Sequence, residues 1–228
     1  MKFLYRKLSP YNKLKKNSML LDYLSTYPDA KIRYHASDMV LTIDSDDAYL
    51  VSPKDRSRVA GCYHCSTHYS KYCPSNTLNN GPVHIKHKTL KRVVASAAEG
   101  ETAGLFHNCQ TAVHLWQMFK ALHHPQPATP TKTDNSTAAN FVIDTIKKKR
   151  SKFWDKEYHW LCDQQTLNNF YIYWDKGSNN KADYQTKHHA PSHYKNIRPI
   201  YILKDLQHSI TITHTSTISE LMCKGMFI

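Results

Sequence analysis

The stretch 39-MVLTIDSDDAYLV-51 alternates apolar and polar residues before it runs into a group of acids. Val40 and Asp44 share one face of the strand it predicts, and Leu41 and Ile43 share the other. In an α/β sheet, side chains at the strand ends line the edge where ligands bind. This stretch therefore predicts the first strand of a sheet, with a carboxylate available for chemistry at its end.

Outward from this strand, hydrophobic periodicity and chain breakers predict the remaining elements. The predicted order is three strands, a helix, a strand, two helices, a strand and a short last helix. That order indicates an α/β (α+β mixed) fold, in which a mixed sheet is covered by helices. The further strands are expected at 58–65, 82–88, 125–134 (at its end) and 170–175, and the helices at 19–27, 95–123, 135–146, 155–169 and 181–189, while 31–35 is a candidate short strand.

The composition points to a polyanionic partner. The chain of 228 residues has a net charge of +13 and a pI near 9.4, a balance most often found in proteins that bind nucleic acid. A merely soluble basic protein is the alternative. The sequence shows neither an apolar run of membrane-spanning length nor a secretory signal, so we expect no membrane partner. The six cysteines are then reduced thiols of an intracellular protein, cytoplasmic or nuclear and not secreted.

Four acids occupy positions that suit metal-dependent chemistry: Asp44 at the end of the first strand, Glu101 early in the long helix, Asp134 at the end of the strand after the prolines, and Asp183 at the start of the last helix. Carboxylates that meet in a partly dry site need cations. Two Mg²⁺ ions, or Mn²⁺ instead, would meet that need and would clamp a phosphodiester. Each acid also has a plainer interpretation, as part of a surface turn or as a residue that favours a helix start.

Five segments, in this order, carry a family resemblance: 20-LLDYLSTYPDAKIRYHASDMVLTIDSDDAYLV-51, 80-NGPVHIKHKTLKRVVASAAEGETAGL-105, 132-KTDNSTAANFV-142, 149-KRSKFWDKEYHWLCD-163 and 180-NKADYQTK-187. Together they resemble the ribonuclease H domain of copia-type retrotransposon Pol polyproteins. The resemblance covers roughly residues 19–203. Ala97, Ala98 and Gly100 depart from the pattern around the helical glutamate, where the family has serine or threonine, and then alanine.

The resemblance implies a ribonuclease H-like fold, with a five-stranded mixed sheet and helices on both faces. It implies that the chain cuts RNA in RNA–DNA hybrids with two Mg²⁺ ions. It assigns both catalysis and metal binding to Asp44, Glu101, Asp134 and Asp183. The partners would be the hybrid and a reverse transcriptase acting in trans. The alternative is a truncated or inactive retroelement remnant that only binds nucleic acid or other partners.

The same resemblance implies that the chain has three parts. Residues 1–38 would be a basic arm and connecting helix, left over from the connection to a reverse transcriptase. Residues 39–190 would form the ribonuclease H-like domain, and residues 191–228 a carboxy-terminal tail.

Basic residues around this domain are expected to hold the phosphates of a hybrid without reading its sequence, although a solvated charge run would have the same composition. Trp160 and His159 are expected to pack within their helix, and His188 or its neighbour His189 could assist the metal site. The candidate nucleic-acid residues are Lys86, Lys88, Lys91, Arg92, Asn135, Lys147, Lys148, Lys149, Arg150 and Lys152.

The segment 61-GCYHCSTHYSKYC-73 raises the alternative of a zinc-binding module. A closed zinc site needs four tetrahedral ligands, and Cys62, Cys65, His68 and Cys73 have a suggestive spacing. In the expected strand, however, Cys62 and Cys65 point to opposite faces. We therefore expect thiols packed in a hairpin, with zinc unlikely.

Overall fold

A computed structural model describes residues 10–32, 34, 36–66, 79–143, 152–187 and 189–202 of the chain. The elements in chain order are α1 (Pro10–Thr26), β1 (Val40–Ser52), β2 (Arg56–Ser66), β3 (Asn79–Thr89), α2 (Ala97–Ala121), β4 (Thr129–Thr133), α3 (Ser136–Val142), α4 (Lys152–Thr166), β5 (Phe170–Trp174), α5 (Asp183–Thr186) and α6 (Pro191–Tyr201).

The strands form one mixed sheet in the order β3-β2-β1-β4-β5. β1, β2 and β3 pair antiparallel along the chain, as expected for consecutive strands joined by hairpins. β4 and β5 join parallel, β4 beside β1 and β5 beside β4, because helical crossovers connect them. The predicted mixed five-stranded sheet is therefore confirmed.

The alternation along β1 decides which side of the sheet each residue faces. Leu41 and Ile43 pack with Leu105 of α2 in the main apolar core, to which α3 and α4 also contribute. On the opposite face a smaller cluster joins Cys62 of β2 to Ala182, beside α5. Helices thus cover both faces, as predicted, and the residues of β1 with the parity of Asp44 face α5.

Asn108 fastens α2 to the sheet. Its side-chain amide donates hydrogen bonds to Ser45 Oγ at 2.9 Å and to the Ala60 carbonyl at 2.8 Å, and Tyr63 Oη donates to its carbonyl oxygens. Because Asn108 is 1 % exposed, these bonds replace all the water that it would otherwise contact. Gly61 lies against it, and a Cβ there would overlap the Asn108 amide. The helix that carries Glu101 therefore has one register against β1 and β2.

Arg92, which precedes α2, links the first turn of that helix to α4. The Arg92 guanidinium donates two hydrogen bonds of 2.7 Å to Glu157, one to each carboxylate oxygen, and lies 3.7 Å from Glu99. Planar two-point pairing of this kind is the strongest arrangement of an arginine and a carboxylate. Arg92 is therefore part of the scaffold.

The two ends of the described chain differ from the expected elements. α1 begins at Pro10, whereas the sequence predicts a helix only from 19, and α6 is a helix that the sequence does not predict. The two pack together, because Arg198 of α6 lies over the Tyr27 ring at 4.1 Å and donates to the Tyr23 hydroxyl at 3.1 Å. The contacts between α1 and α6 join segments that are distant in sequence, so the hydrophobic periodicity of either segment alone does not reveal them.

Smaller differences concern element lengths. α5 has only four residues, Asp183–Thr186, instead of the expected 181–189. Residues 31, 32 and 34 lie outside any strand. Among the described helices, none combines the length and the apolar character needed to cross a membrane.

We expect Asn108→Ala to lower the free energy of unfolding by about 2–4 kcal/mol, because it leaves buried polar groups without partners and opens a cavity. Gln110→Ala, on the exposed side of the same helix, is the matched control and should change stability by no more than about 0.5 kcal/mol. Urea unfolding followed by circular dichroism measures both. Equal effects of the two substitutions would contradict the role given to Asn108.

Candidate functional site

Three carboxylates meet at one edge of the sheet. Asp46 of β1, Glu101 of α2 and Asp134, directly after β4, each offer an oxygen that lies within 4.8 Å of the others. The parallel register explains the meeting of the two strands: Ile43 pairs with Thr131 and Asp44 with Lys132. Two further residues along both strands bring Asp46 beside Asp134.

Neighbouring groups orient these acids. Glu101 accepts a hydrogen bond from the Asp47 backbone N–H at 3.1 Å and another from Thr133 Oγ1 at 3.1 Å. Asp46 accepts one from the hydroxyl of Thr186 in α5. Side chains held in this way keep their geometry without a ligand, which is what a preorganised binding site requires.

Asp183 faces the same cluster from α5. Lys187, one turn later, forms an ion pair with Asp183 and lies 3.6 Å from Asp46 Oδ1. The negative charge of Asp183 is among the factors that raise the pKa of Asp46. Asp183 thus contributes to the electrostatics of the cluster, although it is not among the three groups that lie within 4.8 Å of one another.

Burial and the repulsion of neighbouring carboxylates raise the pKa values of Asp46, Asp47 and Glu101. Burial, followed by the charges of Asp134 and Asp183, raises the pKa of Asp46 to about 6, although Thr186 and Lys187 oppose the rise. Burial likewise raises the pKa of Asp47 to about 7, and that of Glu101 well above its usual value. Such shifts in a group of acids are typical of sites that use those acids.

The donor set fits a hard divalent cation. All three convergent ligands are carboxylate oxygens, the type that Mg²⁺ prefers. Asp46 Oδ1 is buried and, among the described residues, accepts no hydrogen bond, so it is available to a cation. The Lys187 ammonium already supplies one positive charge beside it. These residues could therefore hold a divalent metal.

The structure does not bring Asp44 into this group of three acids. Its carboxylate pairs with Lys132 at 3.1 Å, and it accepts a hydrogen bond from the backbone of Lys181 at 3.3 Å. Lys132 also donates to the Asn179 carbonyl at 2.7 Å. Asp44 therefore helps to fasten the loop that precedes Asp183 onto the sheet.

β1 is longer than the sequence predicts. The predicted first strand ends at Asp44, whereas β1 continues to Ser52. Asp46 has the same parity as Asp44 and lies two residues further along, level with Asp134. An acid two places beyond another on one strand is the signal that could have found it. The alternative interpretation of Asp44 and its acidic neighbours as a surface turn is wrong, because Asp44, Asp46 and Asp47 are all buried.

Gly100, one of the departures from the family pattern, has a local reason in this chain. A Cβ at this position would overlap the carboxylate of Asp47. Asp47 lies on the α2 side of β1 and is 7 % exposed. The absence of a side chain at Gly100 therefore leaves space for the Asp47 carboxylate. Asp47 is thus buried close to Glu101, the residue that follows Gly100 in α2.

The predicted nucleic-acid residues are divided among several settings. Lys91 is exposed, and Lys86 and Lys88 are half-buried on β3, where Lys86 donates to Thr111 Oγ1 at 2.5 Å. Arg92 is engaged in the scaffold, as described above, and Asn135 caps α3 by accepting from the Ala138 N–H at 2.9 Å. Lys147, Lys148, Lys149 and Arg150 lie outside the described residues, as does the side chain of Lys152.

The histidines near α5 can be placed in part. His188 lies outside the described residues, but His189 Nε2 is 3.1 Å from Asp183 Oδ2, and its ring stacks on His193 with centroids 4.0 Å apart. In α4, Trp160 packs edge-on against Phe106 at 5.2 Å, as expected for that helix.

Cys62 and Cys65 lie in different apolar clusters on opposite faces of the sheet, as the alternation predicted. Burial raises the pKa of the Cys62 thiol to about 12, which disfavours the thiolate that binds metals. His68 and Cys73 lie outside the described residues. The described part of this segment is therefore a packed strand.

Solved structures similar to this chain are ribonuclease H domains. The amino-terminal ribonuclease H domain of a Mycobacterium tuberculosis protein shares 14 % identity and a TM-score of 0.44, covering 65 % of this chain and 91 % of that one. Ribonuclease H1 from Halobacterium salinarum gives 12 % and 0.43, covering 64 % and 92 %. The foamy-virus ribonuclease H domain gives 16 % and 0.39, covering 60 % and 79 %. No family model and no curated protein sequence matches the chain.

The sheet order, its mixed pairing and helices on both faces are those of the ribonuclease H-like fold, and the predicted fold class is confirmed. These likenesses concern the fold alone.

We expect opposite effects on stability from the two acids of β1, Asp44 and Asp46. In metal-free buffer at pH 8, Asp46→Asn should raise the free energy of unfolding by about 1–3 kcal/mol, because it removes a buried charge whose pKa is about 6. Asp44→Asn should lower it by about 3 kcal/mol, because it breaks the buried pair with Lys132.

The pH dependence supplies a second test. A raised carboxyl pKa means that the folded state binds the proton more tightly, so its contribution to stability is present below pH 4 and lost as the pH rises through about 6. The gain from Asp46→Asn should therefore shrink as the pH falls from 8 towards 4. Urea titrations at several pH values measure it, and a gain that is constant over this range would contradict the assignment.

Proposed function

We propose that this chain is a metal-dependent ribonuclease H that hydrolyses the RNA strand of RNA–DNA hybrids, as in a copia-type retrotransposon. The convergence of Asp46, Glu101 and Asp134 within 4.8 Å on a ribonuclease H-like sheet is the observation that carries this proposal. Asp183, which faces Asp46 across Lys187, would complete the site. Asp46 thus takes the place that the family resemblance assigned to Asp44.

The cluster suits phosphodiester hydrolysis because a reacting phosphate adds negative charge beside acids that already repel one another. A bound pair of Mg²⁺ ions would supply the positive charge and an activated water. Asp46, Glu101 and Asp134 would hold these ions, and the hydrogen bonds from Thr133, Thr186 and the backbone of Asp47 would keep the carboxylates aimed.

Lys187 and His189, which follow α5, lie close enough to the acids to affect their charge and to transfer protons. Lys187 would offset part of the negative charge that Asp46 and Asp183 carry together. His189 contacts Asp183, and an imidazole in this place could accept or release a proton as the strand is cut. We assign to His189 the auxiliary role expected of His188.

The hybrid would be held chiefly by its phosphates. Lys88 and Lys91 on the β3 side of the domain, together with Lys86, offer cations to a phosphate row. Recognition of RNA would then rely on 2′-hydroxyls and groove shape.

We expect the purified chain to cut a labelled RNA–DNA hybrid in the presence of Mg²⁺, leaving 5′-phosphate and 3′-hydroxyl ends. Asp46→Asn and Asp134→Asn should each lower the rate at least about 100-fold, because each removes a ligand and its charge from the site. Gel analysis of hybrid, duplex DNA and single-stranded RNA gives rates and substrate preference.

Asp163→Asn, an exposed acid of α4, is the matched control and should retain the full rate. A wild-type chain no faster than Asp46→Asn would refute the enzymatic proposal and favour a remnant that only binds nucleic acid.

The lysines of β3 and its following loop can be tested without cleavage. With EDTA present, Lys88→Gln and Lys91→Gln should each weaken hybrid binding and reduce the slope of log affinity against log salt by about 0.9, the value for one duplex phosphate contact. Lys120→Gln, at the exposed end of α2, makes the same charge change elsewhere. An equal loss in all three variants would reject a localised phosphate contact.

A further inference from the structure

A cavity of about 440 Å³ opens on the α5 side of the sheet, outside the acid cluster. Its volume is in the range of small-ligand sites, about 300–1,000 Å³. α1, β3, α5 and α6 all contribute to its walls. The walls combine aliphatic groups with four tyrosine rings and two cations, which are Tyr23, Tyr27, Tyr184, Tyr194, Lys195 and Arg198.

We propose that this cavity binds an unpaired nucleotide of a single-stranded nucleic acid, with the base among the tyrosines and the phosphate near Lys195 and Arg198. This second nucleic-acid site is separate from the proposed cleavage site and does not depend on it.

The aromatic walls favour a flat, unpaired ligand. Tyr23 and Tyr27 lie with ring centroids 5.1 Å apart, and they are 39 % and 43 % exposed. Tyr184 and Tyr194 meet edge-on at 5.0 Å. Nucleic-acid bases stack on such rings only when they are not inside a duplex, and stacking tolerates any base because every base has a flat π-face.

The cations distinguish a nucleotide from a neutral aromatic ligand. The Arg198 guanidinium is held over the Tyr27 ring at 4.1 Å, and its Nε donates to the Tyr23 hydroxyl. Lys195, three residues earlier on α6, is exposed at the cavity rim. A basic groove lined by aromatic rings is the usual composition of single-strand sites, and the net charge of +13 suits the same partner.

The cavity and the acid cluster are bordered by residues that are neighbours in sequence. Tyr184 and Gln185 in the cavity wall directly follow Asp183, which faces Asp46. A single strand seated in the cavity would therefore lie beside α5. This arrangement suits a substrate in which a duplex part continues into an unpaired extension.

Fluorescence anisotropy of a short labelled oligo(dT), with EDTA present to prevent cleavage, tests the proposal on the full chain. Wild type should bind, and Tyr27→Ala should weaken binding at least about fivefold, the loss expected for one base–aromatic stack. Tyr27→Phe keeps the ring and should bind like wild type. Thermal unfolding of each variant shows whether a lost affinity reflects a lost fold.

The salt dependence tests the phosphate contact. Lys195→Gln should reduce the slope of log affinity against log salt by about 0.7, the value for one single-strand phosphate. Lys120→Gln makes the same charge change outside the cavity and should leave that slope within error of wild type. Equal slopes for Lys195→Gln and Lys120→Gln would overturn the assignment of the phosphate to this rim.

Two other results would overturn the proposal as a whole. One is equal oligo(dT) affinity of a folded Tyr27→Ala protein and wild type. The other is no binding by wild type, which would leave residues 203–228, directly after Ile202, as the occupant to examine. Hybrid cleavage measured on the same samples reports separately on the acid cluster, so each outcome concerns one site.

Discussion

Mutual repulsion among buried carboxylates is the constraint on which this molecule depends. Asp46, Glu101 and Asp134 approach within 4.8 Å, and both Asp46 and Glu101 are almost completely buried. Bringing like charges together out of water is unfavourable, so the rest of the fold must hold them in place. The raised pKa values of Asp46 and Glu101 reflect this burial and repulsion, which a positively charged ligand would offset.

The scaffold opposes the repulsion through two attachments. Asn108 ties α2, and with it Glu101, to β1 and β2 through buried hydrogen bonds. Asp44 and Lys132 tie the loop before Asp183 to the sheet. Two acids two residues apart on one strand thus have different tasks: Asp44 has a neutralising partner and stabilises, whereas Asp46 is left among other acids. This division between a stabilising residue and a strained one is common where a site is built for function.

The basic character of the chain is distributed over separate surfaces. Lys86 and Lys88 lie on β3, and Lys91 lies shortly after it, on one side of the domain. Lys195 and Arg198 border the tyrosine-lined cavity formed with α6. The first surface is the one proposed to contact a duplex, because rows of lysine contact phosphates without reading bases. An unpaired strand suits the second, because its bases are free to stack.

The order of elements from β1 to α5, the mixed sheet and the meeting of Glu101 with Asp134 could be predicted from the sequence alone. Hydrophobic alternation reports strands, and helical spacing reports α2, because both depend on neighbours along the chain. Only the tertiary structure decided between Asp44 and Asp46, because the register of β1 against β4 pairs Asp44 with Lys132 and carries Asp46 on to Asp134. The same holds for α1 and α6, whose contact rests on Arg198 and on Tyr23 and Tyr27, more than 170 residues earlier in the chain. Local sequence thus determined which residues form the sheet, whereas contacts distant in sequence determined which acid belongs to the cluster.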